Sequence, residues 1–97
     1  GINQIGTEIP SRFELTQNFP NPFNPSTTIK FSVPVNSFVN LKVFDITGKE
    51  VSNLINENLN AGNYETSFNG SILTSGVYFY RLTTNSFTDT KRMTLIK

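Results

Sequence analysis

Ninety-seven residues, 36% of them hydrophobic and 15% charged with a net charge of +1, provide for one small core in one domain. The chain has no Cys and no His, which excludes a disulfide framework, a thiolate nucleophile, a Cys-ligated metal and any Ser-His-Asp site built from this chain alone. Lys and Arg are scattered, adjacent only at Lys91-Arg92, unlike the basic stripe of a nucleic-acid binder, and no apolar run approaches the roughly 18–20 residues of a membrane-spanning helix.

Residues 1–12 are short on core-forming side chains, contain Gly6 and Pro10, and read as a linker or flexible lead-in. Nothing in them resembles a signal peptide, so an exported protein would carry this chain as the tail of a longer precursor. The domain proper is expected over residues 13–97. Phe13 to Gln17 alternates apolar and polar, as a short edge strand does. The block Asn18-Phe19-Pro20-Asn21-Pro22-Phe23-Asn24-Pro25 follows; its prolines forbid a helix, cannot donate to a sheet ladder, and hold their predecessors extended. It reads as an extended structural loop in which Phe19 or Phe23 packs against the body of the domain.

Thr28 to Val33 alternates with Ile29, Phe31 and Val33 inward, and Phe38 to Phe44 with Val39, Leu41 and Val43 inward. Asp45-Ile46-Thr47-Gly48 has Asp at the first and Gly at the fourth position of a type I turn, where a positive φ forms a G1 bulge. Lys49 to Ile55 completes that hairpin. Its change of phase between Val51 and Leu54 implies a bulge, and a short helix over Glu50 to Asn58 is the alternative. Tyr64, Thr66 and Phe68 alternate between the turns Asn60-Ala61-Gly62 and Asn69-Gly70. After Ser75-Gly76, Tyr78, Tyr80 and Leu82 face inward and Arg81 outward. The last strand covers about Phe87 to Ile96, with Met93 and Leu95 on one face and Arg92, Thr94 and Ile96 on the other.

Thirteen Asn, 12 Thr and nine Ser fit short strands joined by many turns. Regular period-two segments without helical crossovers predict an all-β fold, an immunoglobulin-like antiparallel β-sandwich of about seven strands.

No catalytic constellation emerges. The carboxylates Glu8, Glu14, Asp45, Glu50, Glu57, Glu65 and Asp89 show no spacing that singles out a pair, and one carboxylate at Asp45 makes a poor Ca²⁺ site. Neither a cofactor nor a metal is implied. Phe38, Phe44 and Phe79 have outward parity, which fits loop packing or interface burial better than sugar stacking. Lys91, Arg92 and Lys97 near the end fit a solvated edge strand.

Five segments together carry a resemblance. They are Leu15 to Thr27 (LTQNFPNPFNPST), Val43 to Val51 (VFDITGKEV), Ala61-Gly62, Ser75 to Leu82 (SGVYFYRL) and Thr90 to Lys97 (TKRMTLIK). The chain resembles a type IX secretion system type A C-terminal sorting domain, also called a Por secretion C-terminal domain, and is similar to the immunoglobulin-like domain of flagellar hook-capping proteins. Phe19, Phe44 and Phe68 stand where the family often has Tyr or Trp, and Arg92 where Lys is frequent. The Leu-Ile-Lys ending lies where such a domain is expected to end its precursor.

The resemblance implies a non-catalytic sorting signal joined to an N-terminal cargo domain. Such a domain is read by an outer-membrane secretion translocon after transit through the periplasm, and commonly removed by a sortase-like peptidase. The cargo then reaches the cell surface or the medium, attached to lipopolysaccharide or free. The family's recognition residues map onto Lys91, Arg92, Met93, Leu95, Ile96 and Lys97, with the last strand offered to a partner strand as an edge. Its structural motif maps onto Asn18, Pro20, Asn21, Pro22, Phe23, Pro25, Asp45, Gly48, Gly76, Tyr78 and Tyr80. Two other roles compete: an accessory carbohydrate- or protein-binding module of a secreted hydrolase, and a hook-cap-like assembly domain.

Overall fold

A computed structural model describes all 97 residues, and its regular elements are all strands. In chain order they are β1 (Ile2–Ile5), β2 (Glu14–Leu15), β3 (Ser26–Val33), β4 (Ser37–Phe44), β5 (Glu50–Leu59), β6 (Gly62–Asn69), β7 (Gly76–Thr83) and β8 (Thr88–Leu95). They form two antiparallel four-stranded sheets, ordered β1-β6-β3-β2 and β5-β4-β7-β8. The expected all-β sandwich is therefore present, with eight strands where about seven were counted. The additional strand is β1: Ile2–Ile5, inside the stretch read as a lead-in, pairs along β6 from Thr66 to Asn63.

Side chains alternate as the pleat requires, and the inward set of both sheets meets in one core of 17 buried hydrophobic residues. Ile29, Phe31 and Val33 of β3 face Val39, Leu41 and Val43 of β4 across the interior, and Tyr80, Leu82, Met93 and Leu95 complete it. Phe31 stacks on Tyr64 with ring centroids 5.6 Å apart. Beside β2, Phe13 stacks on Phe87 at 5.3 Å, closing the flank where the β2 and β8 edges of the two sheets come together.

The β4–β5 hairpin takes the turn its residues favour. Gly48 has φ 87°, its N–H donates to the Asp45 carbonyl at 3.0 Å, and the Asp45 N–H donates to the Lys49 carbonyl at 2.9 Å. Register shifts between Leu41 and Lys42 and between Val43 and Phe44 mark the irregularity that breaks the phase of β5. The helical alternative for that segment is replaced by a ten-residue strand.

Candidate recognition surface

The two sequence features that carry the resemblance, the proline-rich block and the terminal strand, lie against each other. β8 is an edge strand of its sheet, and on its outer side the block supplies what a further strand would. The Phe23 N–H donates to the Thr94 carbonyl at 2.9 Å, and the Ile96 N–H donates to the Phe23 carbonyl at 3.0 Å, a short parallel bridge. Asn21 Oδ1 accepts from the Thr94 N–H at 3.0 Å, and Gln17 Nε2 donates to the Arg92 carbonyl at 2.6 Å. Pro20, Pro22 and Pro25 have no N–H of their own; Asn21 and Phe23 between them make the bonds, and the block runs through a series of bends rather than as the extended loop expected. The terminal edge is consequently occupied from Arg92 to Ile96, contrary to the expectation of an open edge for a partner strand.

Two anchors hold this clasp. The apolar one is Phe23, 1% exposed, whose ring meets Phe68 edge to face at 6.0 Å. Gly70 lies beneath it: a Cβ there would stand 3.0 Å from Leu95 Cδ2 and 3.4 Å from the Phe23 ring, and the Gly70 N–H donates to the Pro25 carbonyl at 2.8 Å. Phe19 does the opposite. Its backbone pairs with Thr28, but its side chain is 80% exposed.

The polar anchor is Tyr80. Its buried hydroxyl donates to the Thr16 carbonyl and accepts from the Asn18 N–H, both at 2.7 Å. Burial pushes the phenol up from 10.0 to about 12. The Asn18 amide, also buried, donates to the Pro20 carbonyl at 3.1 Å and to Thr27 Oγ1 at 2.9 Å, and its Oδ1 accepts from Gln17 Nε2 at 2.7 Å. Thr27 Oγ1 in turn donates to the Pro20 carbonyl at 2.8 Å. No buried side-chain polar atom is left without a partner, as a network sealed from water requires.

The other tyrosines also tie connections to strands. Tyr78 Oη donates to the Thr74 carbonyl at 2.7 Å, beside Gly76, whose φ of 154° suits a residue without Cβ. Tyr64 Oη donates to the Asn60 carbonyl at 2.6 Å, and burial, with Glu57 nearby, raises its pKa. Asp45 is absorbed by its own turn: Oδ1 accepts from the Thr47 N–H at 2.9 Å, the Thr47 hydroxyl at 2.6 Å and the Lys49 N–H at 3.1 Å. These bonds, the Thr47 hydroxyl's first, lower its pKa below 3.8.

The six terminal residues divide by face. Met93 and Leu95 are core, each 1% exposed. Lys91 is half-buried, 3.9 Å from Asp89. Arg92, Ile96 and Lys97 reach solvent, with Lys97 Nζ donating to the Ser71 carbonyl at 2.6 Å. Gln17, Thr27, Phe68, Gly70 and Thr94 carry no site role in the sequence reading. Their clasp contacts reach partners 7 to 75 positions away, which no local pattern displays.

The chain has no match among curated proteins. The family described as the secretion system C-terminal sorting domain matches residues 17–97, a span that opens at Gln17, the residue that holds Arg92, and includes β8 whole. The chain belongs to that family, the sorting domains of type IX secretion, and the clasped terminal strand is where its two most recognisable motifs meet.

Proposed function

We propose that the proline-rich clasp and β8 form one composite surface that the type IX machinery reads, as a sorting signal with no reaction of its own. Membership of the sorting-domain family supports recognition by that machinery, a cargo joined to the domain, and export to the cell surface or beyond. The observation that carries the finer reading is the bonding of Gln17, Asn21 and Phe23 to the outer edge of β8. With that edge taken, a partner meets side chains: Arg92, Ile96 and Lys97 beside the exposed Asn21 and Pro22. The cargo passes through the periplasm and the translocon, and a sortase-like peptidase then cuts within residues 1–12, leaving the cargo free or attached to lipopolysaccharide.

Export of a fused reporter tests this. Deleting Met93 to Lys97 is expected to abolish export, but it also removes two core side chains. The sharper variant is the triple change Arg92→Glu, Ile96→Ser, Lys97→Glu, which alters exposed positions only. A folded triple variant that stays inside the cell supports the composite surface. Export at the wild-type rate by that variant refutes it.

A further inference from the structure

A second surface lies on the outer face of the β5-β4-β7-β8 sheet. The register places Phe44 opposite Phe79 and Lys42 opposite Arg81 across β4 and β7, then Phe79 opposite Arg92 and Arg81 opposite Thr90 across β7 and β8. Two rows result, Phe44–Phe79–Arg92 and Lys42–Arg81–Thr90. The Arg81 guanidinium lies 4.8 Å from the Phe44 ring centroid, and its Nε is 3.3 Å from Thr90 Oγ1. Lys42 is neutralised by Glu50 at 3.1 Å, whereas neither Arg81 nor Arg92 is ion-paired.

The rings border a shallow groove of about 290 Å³, floored by Phe44, Phe79 and Arg81 and walled by the Asp45–Gly48 turn. Across the turn a groove of about 400 Å³ continues past Val77 and Leu73. Its rim carries Ile46, 72% exposed, and Ile72, 94% exposed. Scattered exposed isoleucines are ordinary; an aromatic pair continued by aliphatic side chains and flanked by unpaired guanidiniums is the composition of an interface. Stacked on a ring, Arg81 keeps its planar donors pre-arranged for a bidentate carboxylate.

We propose that this face docks an acidic polypeptide segment whose carboxylates meet Arg81 and Arg92 and whose apolar side chains cover Phe44, Phe79 and Ile46. Charge complementarity selects the occupant. Two free cations suit one or two carboxylates, whereas a phosphate-bearing lipid surface is held by clusters of about four to eight. Asp45 and Glu50 on the same side repel a densely charged polyanion. Arg92 borders both surfaces, but Arg81 and Phe79 play no part in the composite terminal one, so the peptide titration with Arg81→Glu and Phe79→Ser can fail independently of the export test.

The test is an amide-shift titration of the ¹⁵N-labelled 97-residue chain with a synthetic peptide alternating glutamate and phenylalanine. Its lysine–phenylalanine counterpart and phosphatidylglycerol vesicles serve as comparisons. Binding of the acidic peptide, with shifts centred on residues 44, 79, 81 and 92, is expected. Loss of one charge-assisted contact in Arg81→Glu should weaken it at least about tenfold, and Phe79→Ser should weaken it severalfold. Both positions face outward, and the dispersion of the spectrum reports that the variants are folded. Shifts elsewhere, equal binding of the lysine peptide, binding to the vesicles alone, or indifference to Arg81→Glu would each overturn the proposal.

Discussion

Replacing Tyr80 by Phe isolates the polar anchor of the clasp, because the ring and its packing remain and only the hydroxyl is lost. That hydroxyl serves two backbone groups, the Asn18 N–H and the Thr16 carbonyl, each at 2.7 Å. Both are then left without their protein partner. A buried orphan costs about 1–3 kcal/mol; Asn18 is 2% exposed and falls at the upper end, while half-buried Thr16 falls at the lower. The sum is about 2–4 kcal/mol, which in a domain of this size lowers Tm by roughly 10–25 °C. Urea unfolding measures the first number and calorimetry the second.

The same substitution carries a pH signature. Burial raises the Tyr80 pKa from 10.0 to about 12, so the folded state holds the phenolic proton more tightly than the unfolded chain does. This contribution is complete below pH 10 and is lost as pH rises to about 12, a change of roughly 3 kcal/mol over two pH units. The stability difference between wild type and Tyr80→Phe should therefore shrink over that window, the other titrating groups being common to both proteins. A Tyr80→Phe protein within about 0.5 kcal/mol of wild type, or a difference that stays flat from pH 9 to 12, would refute the reasoning.

Phe23→Ala should destabilise by about 3–5 kcal/mol in urea unfolding, while Phe19→Ser at the exposed position should change stability by less than about 0.5 kcal/mol. Equal effects would mean that the assignment of plug and bystander is wrong. Gly70→Ala drives a methyl to within 3.0 Å of a tightly packed Leu95 and should cost about 1–3 kcal/mol by the same assay. For Asp45→Asn the expected effect is on acid stability. Wild type keeps the stabilisation of the ionised turn above pH 3.8 and loses it as pH falls through the lowered pKa, whereas the variant lacks that acid limb in paired melts between pH 2 and 6.

Much of the sandwich is visible in the chain because its sheets bury one face, and alternation reports that directly. β3, β4 and β7 announce themselves through TIKFSV, FVNLKVF and VYFYRL, and Asp45 to Gly48 through its turn chemistry. β5 is harder, since register shifts that skip Leu54 and Val51 break its simple alternation. β1 has only Ile2 and Ile5 among polar neighbours, and it exists because β6 offers an edge. Local composition could not choose between Phe19 and Phe23 either: the choice rests on the seat formed by Phe68, Leu95 and the bare backbone of Gly70. Nor does any short window encode an edge bonded from 71 residues away, as between Phe23 and Thr94.

That last contact sets an order of assembly. Phe23 is synthesised 71 positions before its backbone partner Thr94 and 73 before Ile96. Until they arrive, an aromatic ring and a run of amides stand ready without a dock, and contacts of such long sequence separation are the slow ones to form. A polypeptide that stops short of Thr94 therefore lacks the finished badge, and the fold inspects whether β8 is present before any receptor has to do so.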